Sequence, residues 1–152
     1  MEITESVLVE ATTSTTSRLR GVKGLGVRLA LDDFGTGYSA ITALHRLPIH
    51  TVKIDRSFVR DMIDNHSDAA IVRSIVLISR NLDLHVVAEG VETLGQADIL
   101  RGLGCQGAQG YLYAPALDSK KFDAWLARQL RDSTGGSWRD LPNNGMTSRA
   151  DG

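Results

Sequence analysis

Acidic residues recur along this chain at the ends of short apolar segments, and one lysine accompanies them. The polar residues at these positions are Glu2, Glu5, Asp32, Asp33, Lys53, Asp55, Glu89, Glu92 and Gln109. Carboxylates that converge in a low dielectric repel one another, so a divalent cation that neutralises them would stabilise the cluster. Oxygen ligands favour Mg²⁺ or Mn²⁺ over Zn²⁺. The residue types therefore predict a magnesium or manganese site.

The adjacent pair Asp32 and Asp33 is the most specific local feature. Neighbouring side chains on an extended strand point to opposite faces, so both carboxylates reach one site only if the chain turns there. The segment 32–37 contains two glycines that permit such a turn. Asp32 could then bridge two metal ions about 3.5–4 Å apart, an arrangement used for in-line displacement at phosphorus. The alternative is a simple glycine turn before a helix capped by Thr36 or Ser39.

Each of these side chains also has an ordinary structural interpretation. An Asp or Glu at a strand end is often a helix N-cap or a solvated loop residue, and Lys53 alone would be a surface lysine. Their coincidence at successive strand ends favours a shared site. The four histidines have no common spacing, so we predict surface or packing roles for them.

Short β-branched segments alternate with segments of helical period, which predicts an α/β fold with a parallel sheet. The predicted strands are 1–4, 27–32, 51–55, 84–88 and, more weakly, 106–110. The predicted helices are 5–20, 38–46, 67–81, 93–103 and 118–131, with Ile71, Ile75 and Ile78 on one face of the third. Because the loops after parallel strands meet at one face, this order would bring the polar residues together.

Composition excludes several classes of protein. The chain has 152 residues, enough for one domain, and 17 Lys and Arg against 18 Asp and Glu, which disfavours a nucleic-acid polymer as partner. The single cysteine excludes an internal disulfide and fits a reducing compartment, so we predict a cytoplasmic location. We predict no membrane segment, because no apolar run approaches about 20 residues. Residues 1–131 form the predicted domain, and 132–152 a flexible tail.

Five motifs resemble the carboxyl-terminal part of the EAL family, bacterial phosphodiesterases that open the second messenger cyclic di-GMP. They are Glu2–Glu5, Asp32–Ser39, Val52–Asp55 with Ser57 and Phe58, Ala88–Thr93, and Gly104–Cys105 with Gln109–Tyr111. The resemblance extends over most of the predicted domain, and the consistent spacing of five motifs makes it specific. It implies a partial (β/α)₈ TIM-type barrel of about five βα units.

The resemblance also implies a role for each site residue. Glu2 is implied to bind a first Mg or Mn ion, Asp32 to bridge two ions, and Asp33 and Glu89 to bind the second. Lys53 is implied to contact the attacking water and to stabilise negative charge. A water activated by the metal would then attack one phosphorus of cyclic di-GMP in line and leave linear pGpG.

Three further residues acquire supporting roles through the same resemblance. Glu5 is implied to stabilise the loop that begins at Asp32. Gln109 and Glu92 are implied to position water or to support the metal ligands. These assignments select the residues that the strand ends had already singled out.

The Glu-Ala-Leu segment that gives the family its name does not occur in the sequence. A complete (β/α)₈ barrel takes about 250 residues, so the resemblance implies a partial barrel with an incomplete two-metal site. An open five-strand sheet has two free edges, which predicts self-association or aggregation. In a parent protein we expect an upstream regulatory or diguanylate cyclase domain, and such a parent could be anchored to a membrane.

Two other functions remain open at this point. One is a non-catalytic module that binds cyclic di-GMP or another protein. The other is a different magnesium-dependent barrel enzyme in which Lys53 acts as a proton-abstracting base beside a metal held by carboxylates.

Overall fold

The structure is a computed structural model. It describes residues 1–5, 13–35, 44 and 46–132. It divides into two compact units, Met1–Pro115 and Ala116–Gly152. The strands are β1 (Glu2–Thr4), β2 (Ala30–Phe34), β3 (Thr51–Ile54), β4 (His85–Ala88) and β5 (Gly107–Ala108). The helices are α1 (Thr13–Gly24), α2 (Arg56–Asp61), α3 (His66–Asn81), α4 (Leu94–Leu103) and α5 (Ser119–Asp132).

The five strands form one parallel sheet in chain order, β1-β2-β3-β4-β5. Glu2 of β1 pairs with Ala30 of β2, and Val52 of β3 pairs with Val86 of β4. Each of these pairs joins residues near the starts of two neighbouring strands. This order confirms the predicted α/β fold and its parallel sheet. It also places the carboxyl ends of all five strands at one edge, where side chains from different strands can meet.

The core lies between the sheet and its helices. Leu31, Val52, Ile54 and Val86 of the sheet have no exposed surface, and burying an aliphatic side chain of this size contributes about 1.5–3 kcal/mol. On α3 the buried residues are Val72, Ile75, Val76 and Ser79. The prediction was therefore wrong for Ile71, which is 36% exposed, because the buried face of the helix is centred on Val72 and Val76.

Three of the predicted helices agree with the structure to within one residue, and their ends have clear physical causes. The side chain of Asn65 accepts hydrogen bonds from Ser67 and Asp68 at the start of α3. Thr93 and Gln96 form a capping box on α4, and Gly104 ends that helix with a φ of 88°. Asp118 caps α5 by accepting a hydrogen bond from the backbone N–H of Lys121 at 2.9 Å.

The other boundaries differ from the prediction. Strand β2 spans Ala30–Phe34 rather than 27–32, because its pairing begins where the N–H of Ala30 donates to the carbonyl of Met1 at 2.9 Å. Helix α1 continues through Gly24, whereas a helix ending at residue 20 was predicted. Helix α2 was not predicted, since six residues are too few to show a helical period.

Some predictions fall on parts of the chain that the structure does not describe. Of the predicted helix 38–46, only residues 44 and 46 are described, and both are helical. Residues 6–12 and 133–152 lie outside the described ranges, so the tail and the domain boundary at 131 stay predictions. Among the described helices, none has the length and apolar character that crossing a membrane requires.

Candidate active site

Lys53, near the end of β3, is the centre of a cluster of carboxylates. Its Nζ lies 2.8 Å from Oε1 of Glu2, 3.0 Å from Oδ1 of Asp32 and 2.6 Å from Oε1 of Glu89. Glu2 belongs to β1, Asp32 to β2, and Glu89 directly follows β4. The parallel sheet therefore brings side chains from four neighbouring strands to one point. Glu89 follows its strand and Lys53 lies near the end of its own, as predicted, whereas Glu2 is the first residue of β1.

The backbone of β2 turns at the acidic pair, so that both carboxylates approach the same region. Asp33 has a φ of 55°, and the pairing of β2 with β3 shifts register between Leu31 and Phe34. Carboxylate oxygens of Asp32, Asp33 and Glu89 all lie within 4.8 Å of one another. The predicted turn is thus present, although the left-handed conformation falls on Asp33 itself as well as on Gly35.

Glu5 fixes the residue that follows this turn. It is 5% exposed, and its Oε2 accepts a hydrogen bond from the backbone N–H of Gly35 at 3.1 Å. Gly35 has a φ of 108°, and a Cβ at this position would lie 2.8 Å from Cε2 of Phe58. The turn is therefore held by a buried acceptor on one side and by an aromatic ring on the other.

Gln109 is joined to Glu89 through its side chain and to the end of β4 through its backbone. Its Nε2 donates to Oε1 of Glu89 at 2.6 Å, and its backbone N–H donates to the carbonyl of Ala88 at 2.8 Å. The N–H of Val91 donates to the carbonyl of Gln109 at 3.0 Å. Gly110 lies directly against the backbone of Val91, where a Cβ would overlap the N and O atoms. Only glycine fits at this point of close approach.

The electrostatics of the cluster are those of one cation shared among several anions. Burial lowers the pKa of Lys53, but its hydrogen bonds to Glu2, Glu89 and Asp32 raise it by more, so the net pKa lies well above its usual value. Burial raises the pKa of Glu89 despite the adjacent Lys53. The pKa of Asp33 is raised by desolvation and then by the charges of Asp32 and Asp55. The acidic groups thus outnumber the single cation that neutralises them.

Asp55 adjoins the cluster. It was noted at the end of the same predicted strand as Lys53, but no role in the site was predicted for it. Its charge adds to the desolvation that raises the pKa of Asp33, and its side chain accepts a hydrogen bond from the N–H of Ser57 at 2.9 Å. Desolvation raises the pKa of Asp55, but the hydrogen bonds from Ser57 lower it by more. Its position after β3 was the signal that could have included it.

Glu92 has different surroundings from the other predicted site residues. Its side chain is exposed, and its backbone N–H donates to Oε1 of Gln96 at 2.8 Å, at the start of α4. The pKa of Arg60 on α2 is raised mainly by Asp61, with a smaller contribution from Glu92. The structure therefore groups Glu2, Asp32, Asp33, Lys53, Glu89 and Gln109, with Glu5 behind the turn and Glu92 on the adjacent surface.

The donor set of the cluster fits a hard divalent cation. Asp32, Asp33 and Glu89 offer only oxygen atoms, and their mutual separation lets one ion contact all three. The side chains of Asp32 and Glu89 are 22% and 16% exposed, so they are shielded from bulk water yet still accessible. Such a set suits Mg²⁺ or Mn²⁺ and is unlike the nitrogen and sulfur ligands of zinc sites.

Comparison with known proteins extends these observations. The chain is 40% identical over 127 residues to the bifunctional diguanylate cyclase/cyclic di-GMP phosphodiesterase MucR of Pseudomonas aeruginosa, covering 84% of this chain and 18% of MucR. The structure of the EAL domain of Mycobacterium smegmatis DcpA superposes with a TM-score of 0.78 at 43% identity, covering 84% of this chain and 57% of that one.

A third comparison includes a metal and a ligand. The manganese/cyclic di-GMP complex of Klebsiella pneumoniae BlrP1 superposes with a TM-score of 0.69 at 36% identity, covering 75% of this chain and 29% of that one. The family model for the EAL domain matches residues 1–116, which include every residue of the carboxylate cluster. The parallel sheet is accordingly part of an EAL-type TIM barrel, and the chain belongs to the EAL domain family.

Proposed function

We propose that this chain supplies part of an active site that hydrolyses cyclic di-GMP to linear pGpG with Mg²⁺ or Mn²⁺. The observation that carries the proposal is the convergence of Glu2, Asp32 and Glu89 on Lys53, at the strand ends where barrel enzymes place their chemistry. The names of the similar proteins support cyclic di-GMP as substrate, since MucR is a cyclic di-GMP phosphodiesterase and BlrP1 binds this nucleotide.

In this proposal the carboxylates would hold the metal. Asp32 would contribute to both metal sites, Glu2 to the first, and Asp33 and Glu89 to the second. Bound divalent ions lower the pKa of a coordinated water and polarise a phosphoryl oxygen.

Lys53 supplies positive charge at the reacting phosphorus. Its ammonium is held by three carboxylates, which use all three of its N–H donors. When divalent ions bind those carboxylates, an N–H would become available to the attacking water or to a phosphoryl oxygen. Gln109 positions Glu89 through the 2.6 Å hydrogen bond, and Glu5 positions the acidic turn through Gly35. Glu92, on the surface next to the carboxylate cluster, is proposed only to position water.

The raised pKa of Lys53 disfavours the alternative barrel enzyme in which this lysine abstracts a proton. A general base must release its own proton near the working pH, whereas the surrounding carboxylates keep this ammonium charged. The cluster is therefore suited to stabilising negative charge rather than to deprotonating carbon.

The chain spans 18% of the length of MucR, so the activity and partners of the whole protein are part of the proposal. We propose that an upstream regulatory or diguanylate cyclase domain accompanies it in a cytoplasmic protein. Strands β1 and β5 form the edges of the described sheet, and unpaired strand edges favour association between chains. We therefore propose that the isolated chain self-associates, and light scattering that showed a monodisperse monomer would contradict this.

The function is tested by chromatographic detection of pGpG after incubation with cyclic di-GMP and Mn²⁺. The chain is assayed alone and joined to the upstream half of its EAL domain, each with Asp32→Asn and with the matched control Asp123→Asn on α5. We expect the joined protein to form pGpG only when Mn²⁺ is present, Asp32→Asn to abolish it and Asp123→Asn to retain it.

Two outcomes would overturn the proposal. Hydrolysis by Asp32→Asn at the wild-type rate would remove the assigned role of this carboxylate. Binding of cyclic di-GMP in the presence of Mn²⁺, with no hydrolysis by the joined protein, would identify a receptor module instead.

A further inference from the structure

A second polar concavity lies at the opposite edge of the sheet from the carboxylate cluster. It has a volume of about 700 Å³ and is lined by residues at the amino ends of β3 and β4 and at the carboxyl ends of α1 and α3. Pockets of about 300–1,000 Å³ are typical of small-molecule sites. Its polar side chains include Lys23, Arg28, His50, Arg80, Asp83 and His85. We call these six residues the amino-edge pocket.

The charge of the amino-edge pocket is predominantly positive, whereas the whole chain has a net charge of −1. Lys23, Arg28 and Arg80 contribute three cations, and Asp83 is the single carboxylate among its lining residues. Lys23 and Arg80 lie in the last turns of α1 and α3, where a cation also interacts favourably with the helix dipole. Arg28 lies between α1 and β2, so the helix dipoles do not account for its position.

His50 adds an oriented hydrogen-bond donor. Its Nδ1 accepts from the backbone N–H of Leu29 at 3.2 Å, so the proton of the neutral ring resides on Nε2. Burial lowers the pKa of His50, and the charges of Lys23 and Arg28 lower it further. Both cations line the same concavity as this imidazole, and the contact with Leu29 leaves the Nε2–H of the neutral ring as its donor.

The backbone around the amino-edge pocket is fixed. The N–H of His50 donates to the carbonyl of Leu29 at 2.9 Å, and that of His85 donates to the carbonyl of His50 at 2.9 Å. Arg80 packs across the end of α4, where a Cβ on Gly104 would lie 3.0 Å from its Nη1. Asp83 has a φ of 54°, an uncommon conformation for a residue other than glycine.

We propose that the amino-edge pocket binds a small phosphorylated anion of mononucleotide or pyrophosphate size, separately from the carboxylate site. Lys23, Arg28, Arg80 and His50 line one concavity large enough for such a molecule, and the three charged residues are exposed to solvent there. Guanidinium groups match the geometry of phosphate oxygens and retain their charge at all physiological pH values. The carboxylate cluster, by contrast, requires a cation before it can accept a phosphoryl group.

The test is isothermal titration of the purified chain with sodium pyrophosphate and, separately, with GMP. EDTA is included so that no divalent ion links either probe to the carboxylates. We expect saturable binding that Arg28→Gln and Arg80→Gln each weaken by at least about fivefold. Arg73→Gln is the matched control, since it removes the same charge from an exposed position on α3 that does not line the pocket.

A variant that binds the anion more tightly than the wild type provides a further check, because misfolding would weaken binding rather than strengthen it. Asp83→Asn removes the one carboxylate of the pocket while asparagine tolerates the same left-handed backbone, so binding should tighten by about threefold. Asp64→Asn, at another exposed aspartate, should leave the affinity unchanged.

Three results would overturn this proposal. They are the absence of saturable binding, equal weakening by Arg73→Gln and Arg28→Gln, and equal tightening by Asp64→Asn and Asp83→Asn. Loss of pyrophosphate binding in Asp32→Asn would also overturn it, because the anion would then lie at the carboxylate site. Because the test uses EDTA and no hydrolysis, its failure is independent of the proposed phosphodiesterase activity.

Discussion

The ammonium of Lys53 lies 2.6 Å from Oε1 of Glu89, and the amide of Gln109 donates to the same oxygen at 2.6 Å. Two donors from β3 and from the loop after β5 thus fix one carboxylate that follows β4. This arrangement explains how a sheet of short strands keeps several acidic groups in a defined geometry. The same hydrogen bonds determine which substitutions will change the positions of these acidic side chains.

Replacing Lys53 with methionine should destabilise the chain in EDTA by about 2 kcal/mol, because the carboxylates lose the cation that compensates their repulsion. Mn²⁺ should then raise the unfolding temperature of Lys53→Met more than that of the wild type. Thermal unfolding with and without Mn²⁺ measures both effects, with the exposed Lys120→Met as control. An unfolding temperature in EDTA equal to the wild type would contradict the role given to Lys53.

Glu5 should stabilise the acidic turn as a hydrogen-bond acceptor rather than as a charge. Glu5→Ala leaves the N–H of Gly35 without this acceptor and should reduce the free energy of unfolding by about 1–3 kcal/mol. Glu5→Gln retains a carbonyl oxygen and should lose less than half as much. Urea denaturation compares the variants, and equal losses in both would show that the acceptor at 3.1 Å is not the stabilising feature.

Gly110 and Gly102 should respond in opposite directions to substitution by alanine. A Cβ on Gly110 overlaps the backbone of Val91, so Gly110→Ala should destabilise the chain and displace Gln109 from Glu89. Gly102 lies in α4, and a Cβ added there would meet no neighbouring atom within 4 Å. Gly102→Ala should therefore stabilise the chain by about 0.5–1 kcal/mol. Denaturation midpoints test this difference, and a neutral Gly110→Ala would refute the close approach.

His50 should make stability depend on pH near neutrality. Because its pKa is lowered from 6.5 in the folded chain, the unfolded chain binds more protons as the pH falls through this range. The contribution of the neutral ring is therefore fully present above the unfolded pKa and is lost as pH falls through the folded pKa. Unfolding free energies at about pH 7.5 and about pH 5.5 measure the loss.

The matched variant for this pH dependence is His50→Asn, whose Oδ1 takes the place of Nδ1 as acceptor for Leu29. It does not titrate, so its stability should change less than that of the wild type over the same interval. An identical pH dependence in both proteins would exclude His50 as its source.

The parallel sheet and the grouping of acidic side chains around Lys53 could be predicted from the sequence because both depend on local patterns. Asp32, Lys53 and Glu89 are placed by strand ends, and strand order brings such ends together. The structure adds the features that depend on three-dimensional contacts. Glu92 was included because it follows the same predicted strand as Glu89 and because the family resemblance implies a supporting role. In the structure its backbone N–H bonds to Gln96 at the start of α4, and its side chain lies at the surface.

Boundary errors have a similar origin. The start of β2 depends on pairing with Met1, which no local pattern encodes. Helix α2 forms because Asp55 caps it after β3, in a stretch too short for periodicity to be detected. The amino-edge pocket could not be predicted from the sequence, since Lys23, Arg28 and Arg80 come from three separate segments and share no motif.

We propose that the carboxylates around Lys53 form a divalent-metal site, and binding of Mn²⁺ to the purified chain measures this without a catalytic assay. Electron paramagnetic resonance measures the concentration of free Mn²⁺ during a titration, and the measurement does not require catalysis. We predict saturable binding that Asp32→Asn weakens by at least about tenfold, while Asp123→Asn binds as the wild type does. Equal Mn²⁺ affinity in Asp32→Asn and the wild type would contradict the claim.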